Sequence, residues 1–198
     1  MTSTIEKILR TAHQQSVFRA ADIPDTKDPR STLRRMVRDR QLVQPARGLY
    51  ALPDFVQGLH HSLVEAEQRY PGGVFCLLSA LAFHHIGTQM PYDVWMMRAD
   101  RKVVPKQPGI RFFYCSREIL HVGIEEHTIE GVRLRIYNPA RTVADCFKYR
   151  NKIGLDVALE ALREGWRAHR FTMDELWSAA RAVRVQRVMQ PYLEMLVH

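Results

Sequence analysis

The sequence predicts an α+β protein in two parts: a compact helical N-terminal unit closed by a β-ribbon, and a larger α+β domain with a helical C-terminus. Three observations carry this. Over residues 29–40, the run Pro29-Arg30-Ser31-Thr32-Leu33-Arg34-Arg35-Met36-Val37-Arg38-Asp39-Arg40 sets Arg30, Arg34 and Arg38 four apart, on one helix face, while Leu33, Met36 and Val37 point towards a core. Directly after it, Leu42-Val43-Gln44-Pro45-Ala46-Arg47-Gly48-Leu49-Tyr50 reads as two short strands around a glycine turn. Further on, Val94–Met97, Ile110–Tyr114, Ile124–Ile129 and Val132–Tyr137 are four β-rich runs, and Glu130-Gly131 is a hairpin signal between the last two.

In chain order, Ile5, Ile8, Leu9 and Ala12 repeat at helical spacing and give a first helix. Phe18 to Ile23 reads as a brief second helix closed by Pro24, and Pro29 suits the first position of the third. Helix, helix, arginine-lined helix and ribbon, in that order, make residues 1–55 a winged helix-turn-helix. Residues 56–198 form the second domain, expected to hold a connecting helix, a small antiparallel sheet and C-terminal helices. The connecting helix is placed at about Val56 to Arg69, with Leu59, Leu63 and Ala66 on one side, and Tyr70-Pro71-Gly72-Gly73 breaks it. A helix around Cys76 to His85 is apolar nearly all round and so buried. Asn138-Pro139 is an N-cap with proline at the first helical position, a longer helix covers Leu155 to Arg167, and Thr172-Met173-Asp174-Glu175 is a capping box. A last helix runs from about Gln186 to Leu196.

Composition narrows the class without choosing a function. The chain is 46% hydrophobic and 25% charged, as ordinary globular proteins are, and its net charge of +8 draws polyanions. Most of the basic residues are arginine, whose planar fork fits phosphate and guanine edges. Cys76, Cys115 and Cys146 are too few and too scattered for a disulfide framework or a CxxC site, so each is expected to fill a core. No signal peptide and no apolar run of about 18 residues stands in the sequence, so the expected place of work is the cytoplasm, with no membrane contact.

A helix that is apolar on one side and lined with guanidinium groups on the other suits a DNA groove. The alternative is a solvated basic face; position after two helices and before a ribbon favours double-stranded DNA. The candidate DNA-binding residues are Arg30, Ser31, Thr32, Arg34, Arg35, Arg38 and Arg47. Ser31, Thr32 and Arg35 are the candidates for reading bases, Arg34 and Arg38 for clamping phosphates, and Arg47 for reaching the minor groove or backbone from the ribbon tip.

The first unit resembles the N-terminal domain of the AbiEi antitoxins of abortive-infection, type IV toxin–antitoxin systems. The matching residues are Arg30-Ser31-Thr32-Leu33-Arg34-Arg35-Met36-Val37, Leu42-Val43 and Arg47-Gly48-Leu49-Tyr50-Ala51-Leu52. The second unit is similar to that family's antitoxin domain at Leu78-Ser79-Ala80-Leu81-Ala82 and at Asn138-Pro139-Ala140-Arg141-Thr142-Val143-Ala144-Asp145. The resemblance implies a bacterial repressor that binds inverted repeats in its own promoter and neutralises a nucleotidyltransferase-like toxin in antiviral defence. It marks Ser79, Arg141, Thr142 and Asp145 as antitoxin-domain motif residues. Arg141 and Asp145, four apart on one helix, are expected to pair and hold the helix start, with a place on the toxin-facing surface as the other possibility.

Catalysis is not expected, and neither a metal nor a cofactor is implied. His60-His61 and His84-His85 are adjacent pairs whose side chains diverge by about 100° on a helix, and no HExxH, GxSxG, GxxxxGK[ST] or GxGxxG pattern occurs. The enzyme rival is a nucleic-acid-processing one, with Asp54, Asp100 and Lys102 as its carboxylate–carboxylate–lysine set; metal-assisted hydrolysis needs such groups converging in a cavity, and these stand at a domain junction and in a predicted loop. A stand-alone regulator whose C-terminal domain binds another partner or a ligand is the non-catalytic alternative. One wing domain reads one half-site, so two copies are expected to assemble on DNA, whether the chain is a monomer or a dimer in solution. Arg181, Arg184 and Arg187 form a second basic stripe, for which the sequence leaves three readings open: an extension of the DNA contact, attraction of an acidic toxin surface, or a solvated face.

Overall fold

The computed structural model describes residues 3–99 and 108–197. They form two compact units, one made of Met1–Pro71 with Thr128–Leu134, the other of Gly72–His127 with Arg135–His198. The first unit thus takes in the connecting helix and the hairpin turn as well as the expected winged segment.

In the first unit, α1 (Thr4–Gln14) starts at a capping box between Ser3 and Glu6 and buries Ile8 and Ala12. The brief second helix expected over Phe18–Ile23 is instead a two-residue strand, β1 (Phe18–Arg19), followed by a 3₁₀ turn (Ala20–Asp22). Phe18 is fully buried as a strand residue opposite Tyr50, with the two rings 6.0 Å apart, and that packing outweighs the weak helical preference of so short a run. The Arg19 guanidinium then grips Asp22 at 2.9 Å and fixes the turn.

α2 (Arg30–Arg38) follows, with Pro29 as its N-cap rather than its first helical residue, and Leu33 and Met36 as its buried side. β2 (Val43–Ala46) and β3 (Leu49–Ala51) make the ribbon, and the sheet order β1-β3-β2 is antiparallel throughout. The register slips between Val43 and Ala46, around Pro45, which has no N–H to give a ladder. Gly48 takes the turn at φ +80°. Ile8, Ala12, Phe18, Ile23, Leu33, Met36, Leu42 and Tyr50 share one core, so helices and ribbon are packed as one body.

The connecting helix, α3 (His61–Arg69), begins five residues later than the apolar spacing suggested. Val56 and Leu59 lie outside it at 85% and 82% exposure, whereas Leu63, Val64 and Ala66 are buried. Its start is tied by Glu130, which accepts hydrogen bonds from the Gly58 N–H and His61 Nδ1 at 2.9 Å each and from the Ser16 hydroxyl. Burial opposes ionisation of Glu130, but those three donors outweigh it and hold the carboxyl below its ordinary range.

The second unit is built on a five-stranded sheet of order β6-β5-β4-β8-β7, whose outer strands complete the expected four: β5 (Val94–Arg98), β6 (Ile110–Tyr114), β7 (Ile124–Ile129) and β8 (Val132–Tyr137). The central strand, β4 (Val74–Phe75), is additional, and it changes the topology. β4 pairs antiparallel with β5 but parallel with β8, and β5 pairs parallel with β6, so the sheet is mixed rather than antiparallel. A parallel pair needs a long connection between its strands, and β4 and β8 are separated in the chain by more than fifty residues.

α4 (Leu77–Phe83), α6 (Pro139–Lys148), α8 (Leu155–Arg167), α9 (Met173–Val183) and α10 (Gln186–Val197) follow the expected positions, and two short helices, α5 (Arg117–Leu120) and α7 (Arg150–Ile153), are added. Val74, Trp95, Met97 and Phe113 of the sheet share a core with Leu81, Val143, Phe147, Leu162 and Leu176 of these helices. Cys76 and Cys146 are buried in it, and burial drives both thiols up from their ordinary range, so neither is set up as a thiolate.

Candidate nucleic-acid interface

α2 presents its two sides as the sequence predicts. Leu33 and Met36 are buried at 0% and 1% exposure, Val37 is half-buried, and Arg30, Ser31, Arg34, Arg35 and Arg38 are exposed, with Thr32 at the margin. The division has a physical origin: the apolar residues fall three and four apart and close on the α1 and ribbon core, which leaves the remaining arc to solvent. Arg38 lies 3.1 Å from the exposed Asp39, a surface pair of little energetic weight. Among the described residues, the guanidinium groups of Arg30, Arg34, Arg35 and Arg47 engage no carboxylate, carbonyl or ring. The first turn of α2 holds no acidic residue and the Pro29 cap offers no side-chain acceptor, but the Asp28 carboxylate just before it accepts the Arg30 N–H at 3.2 Å and caps the positive end of the helix. Arg47 stands exposed at the ribbon turn beside Gly48.

The residues marked in the second unit are arranged differently, for all four are buried. Ser79 Oγ accepts the Trp95 N–H at 2.8 Å and joins α4 to β5. Thr142 Oγ1 donates to the Tyr137 carbonyl at 3.1 Å. Asn138 Oδ1 accepts the Arg141 N–H at 2.8 Å, as the predicted cap of α6. Arg141, 1% exposed, donates through Nε to Asp145 at 3.1 Å and through Nη1 to the carbonyls of Ile119 and Val122 at 2.8 and 2.7 Å, and its guanidinium lies 4.1 Å over the Tyr137 ring. Burial lifts the Asp145 carboxyl to about 6 even against the Arg141 charge, and its second oxygen has no hydrogen-bond partner among the described residues. The motif therefore pins α6 to the turn after α5, and its side chains are not offered to a partner.

Of the enzyme rival, Asp54 is an exposed residue after the ribbon, while Asp100 and Lys102 fall outside the described residues. Among the described residues, no three His, Cys, Asp or Glu side chains are placed to hold a metal ion, and no helix is long and apolar enough to cross a membrane. Arg181, Arg184 and Arg187 are exposed on α9, its C-cap and α10. Sequence reasoning missed the Ser16–His61–Glu130 cluster, whose members are far apart in the chain and carry no local pattern.

The comparison with curated proteins found no match. Among solved structures, the chain is similar to the RV2827C protein from Mycobacterium tuberculosis, at 14% identity over 89% of this chain and 74% of that one, with a TM-score of 0.47. Residues 6–53, which hold most of α1, the 3₁₀ turn, the arginine-lined α2 and the ribbon, match the model of the family described as "Transcriptional regulator, AbiEi antitoxin", the family whose N-terminal domain the sequence resembles.

Proposed function

We propose that this protein is a DNA-binding transcriptional repressor and antitoxin of a type IV, abortive-infection system. It acts in the cytoplasm without catalysis of its own. It binds inverted repeats in its own promoter, two copies per operator, and its second unit neutralises a cognate nucleotidyltransferase-like toxin. The observation that carries the DNA half is the row of exposed arginines on α2, of which Arg30, Arg34 and Arg35 have no side-chain partner among the described residues, rooted by Leu33 and Met36 in the core and followed by a ribbon tipped with Arg47. Ser31, Thr32 and Arg35 read bases, Arg34 and Arg38 hold phosphates, Arg30 adds a further contact from the start of α2, and Arg47 grips from the ribbon. The antitoxin half is supported by the family match of residues 6–53 and by the resemblance of the second unit.

A gel-shift titration on the region upstream of the gene, at two salt concentrations and against unrelated DNA of equal length, tests the first half. A specific complex is expected, and Arg34→Ala/Arg35→Ala should abolish the preference. Loss of one base contact costs about 1–3 kcal/mol, and loss of one phosphate contact lowers the salt slope by about one. Equal affinity for unrelated DNA would refute sequence-specific repression.

A further inference from the structure

We infer that Arg40 is a DNA phosphate contact that the chain holds in place by a left-handed backbone. The inference rests on the proposed DNA-binding reading of α2 and the ribbon. Arg40 is the residue after the C-cap of α2, and its φ is 58°. Glycine takes that conformation freely and an L side chain does not, so retaining arginine there has a steric cost. His85, His169 and Arg184 close α4, α8 and α9 in the same conformation. A cation at the carbonyl end of a helix is favoured by the dipole, so this closure alone does not single out Arg40.

Arg40 is distinguished by its setting. It lies on the connection between Arg38, the last residue of α2, and Val43, the first of β2, the two elements read as touching DNA. The backbone on both sides is fixed: the Arg40 N–H donates to Val37 O at 3.1 Å, the Gln41 and Leu42 N–H groups donate to Met36 O at 2.8 and 3.2 Å, and Leu42 is 1% exposed. The Arg40 side chain is exposed and has no partner among the described residues. An exposed, unpaired guanidinium rising from a fixed backbone at this junction is available to an anion, and the local anion in a groove complex is a backbone phosphate.

The test is a salt series of gel shifts on the upstream DNA with Arg40→Gly, Arg40→Lys and Arg184→Gly, the last a matched removal of one charge from the same backbone conformation. Arg40→Gly should lower the slope of log affinity against log salt by about 0.9 and weaken binding roughly threefold to tenfold at low salt. Its Tm should stay level or rise, because glycine relieves the backbone. Arg40→Lys should keep most of the slope, and Arg184→Gly should leave it unchanged. An unchanged slope in Arg40→Gly overturns the inference, as does an equal drop in Arg184→Gly. So does a fall in the Tm of Arg40→Gly beyond about 4 °C, which would assign the side chain to the fold. Arg34→Ala/Arg35→Ala, run in parallel, separates the failures. If that variant keeps specific binding, the DNA reading fails and Arg40 falls with it; if only Arg40→Gly keeps full binding, Arg40 alone is wrong.

Discussion

Asp145 and Glu130 are both acids held against a basic partner, yet their surroundings shift them in opposite directions. Asp145 is buried so deeply that desolvation overrides Arg141, and its carboxyl rises to about 6. Between pH 4 and 6 the folded protein keeps a proton on Asp145 that the unfolded chain has released. The stabilisation from this group is therefore complete below about pH 4 and lost as pH rises through 6. Denaturant unfolding of the parent and of Asp145→Asn over that range should show the parent losing ground to the variant as pH rises, by on the order of 2–3 kcal/mol. Glu130 has the opposite sign: its lowered pKa stabilises the fold above the unfolded value and is lost on acidification. Arg141 anchors one side of this balance. Removing it as Arg141→Ala at pH 7 leaves Asp145 buried without its cation and strips the Ile119 and Val122 carbonyls of their donor, a loss of about 3–5 kcal/mol in unfolding free energy. Arg141→Lys should recover little of it, because a single ammonium cannot reproduce the fork.

At the scale of elements, the turns decide more than the strands they join. Gly131 has φ +75°, and a Cβ there would overlap the carbonyl oxygen of Gln14 at the end of α1. Gly48, at φ +80° in the ribbon turn, has open space around the same atom. Gly48→Ala should therefore cost only the left-handed penalty, about 1–2 kcal/mol, whereas Gly131→Ala adds a backbone clash and should cost well over that in a thermal melt. The elements with chemical punctuation were legible in the sequence: Asn138-Pro139 starts α6, Thr172 with Glu175 starts α9, and the four-residue arginine spacing gives α2. β4 was not legible, because two residues establish no period, and without it the parallel pairing of β4 with β8 had no trace. Phe18-Arg19 was misread for the same reason, its strand character coming from Tyr50 across the sheet. The arginines of the candidate site showed themselves by spacing. Arg40 did not, since a left-handed conformation at a residue other than glycine leaves no mark in composition.

Across the whole molecule, the two compact units have separate cores, and the two proposed activities fall on different ones. The exposed arginines of α2 and the ribbon belong to the first unit, while the buried Ser79, Arg141, Thr142 and Asp145 shape the second. Arg34 and Arg35 lie outside the core of their own unit, so replacing both with alanine should leave each core intact and the Tm within about 2 °C of the parent, as surface substitutions do. In cells carrying the cognate toxin, Arg34→Ala/Arg35→Ala should therefore lose repression of the promoter and still rescue growth. Arg141→Ala should do the reverse at a temperature where the second unit is unfolded, because the core beneath α2 and the ribbon draws its buried residues from Ile8 to Tyr50 alone. Promoter-reporter output and growth rescue, measured side by side in the same strains, read the two activities independently. If the arginine variant fails to rescue growth while its melting curve is unchanged, then α2 itself takes part in holding the toxin, and repression and neutralisation compete for one surface.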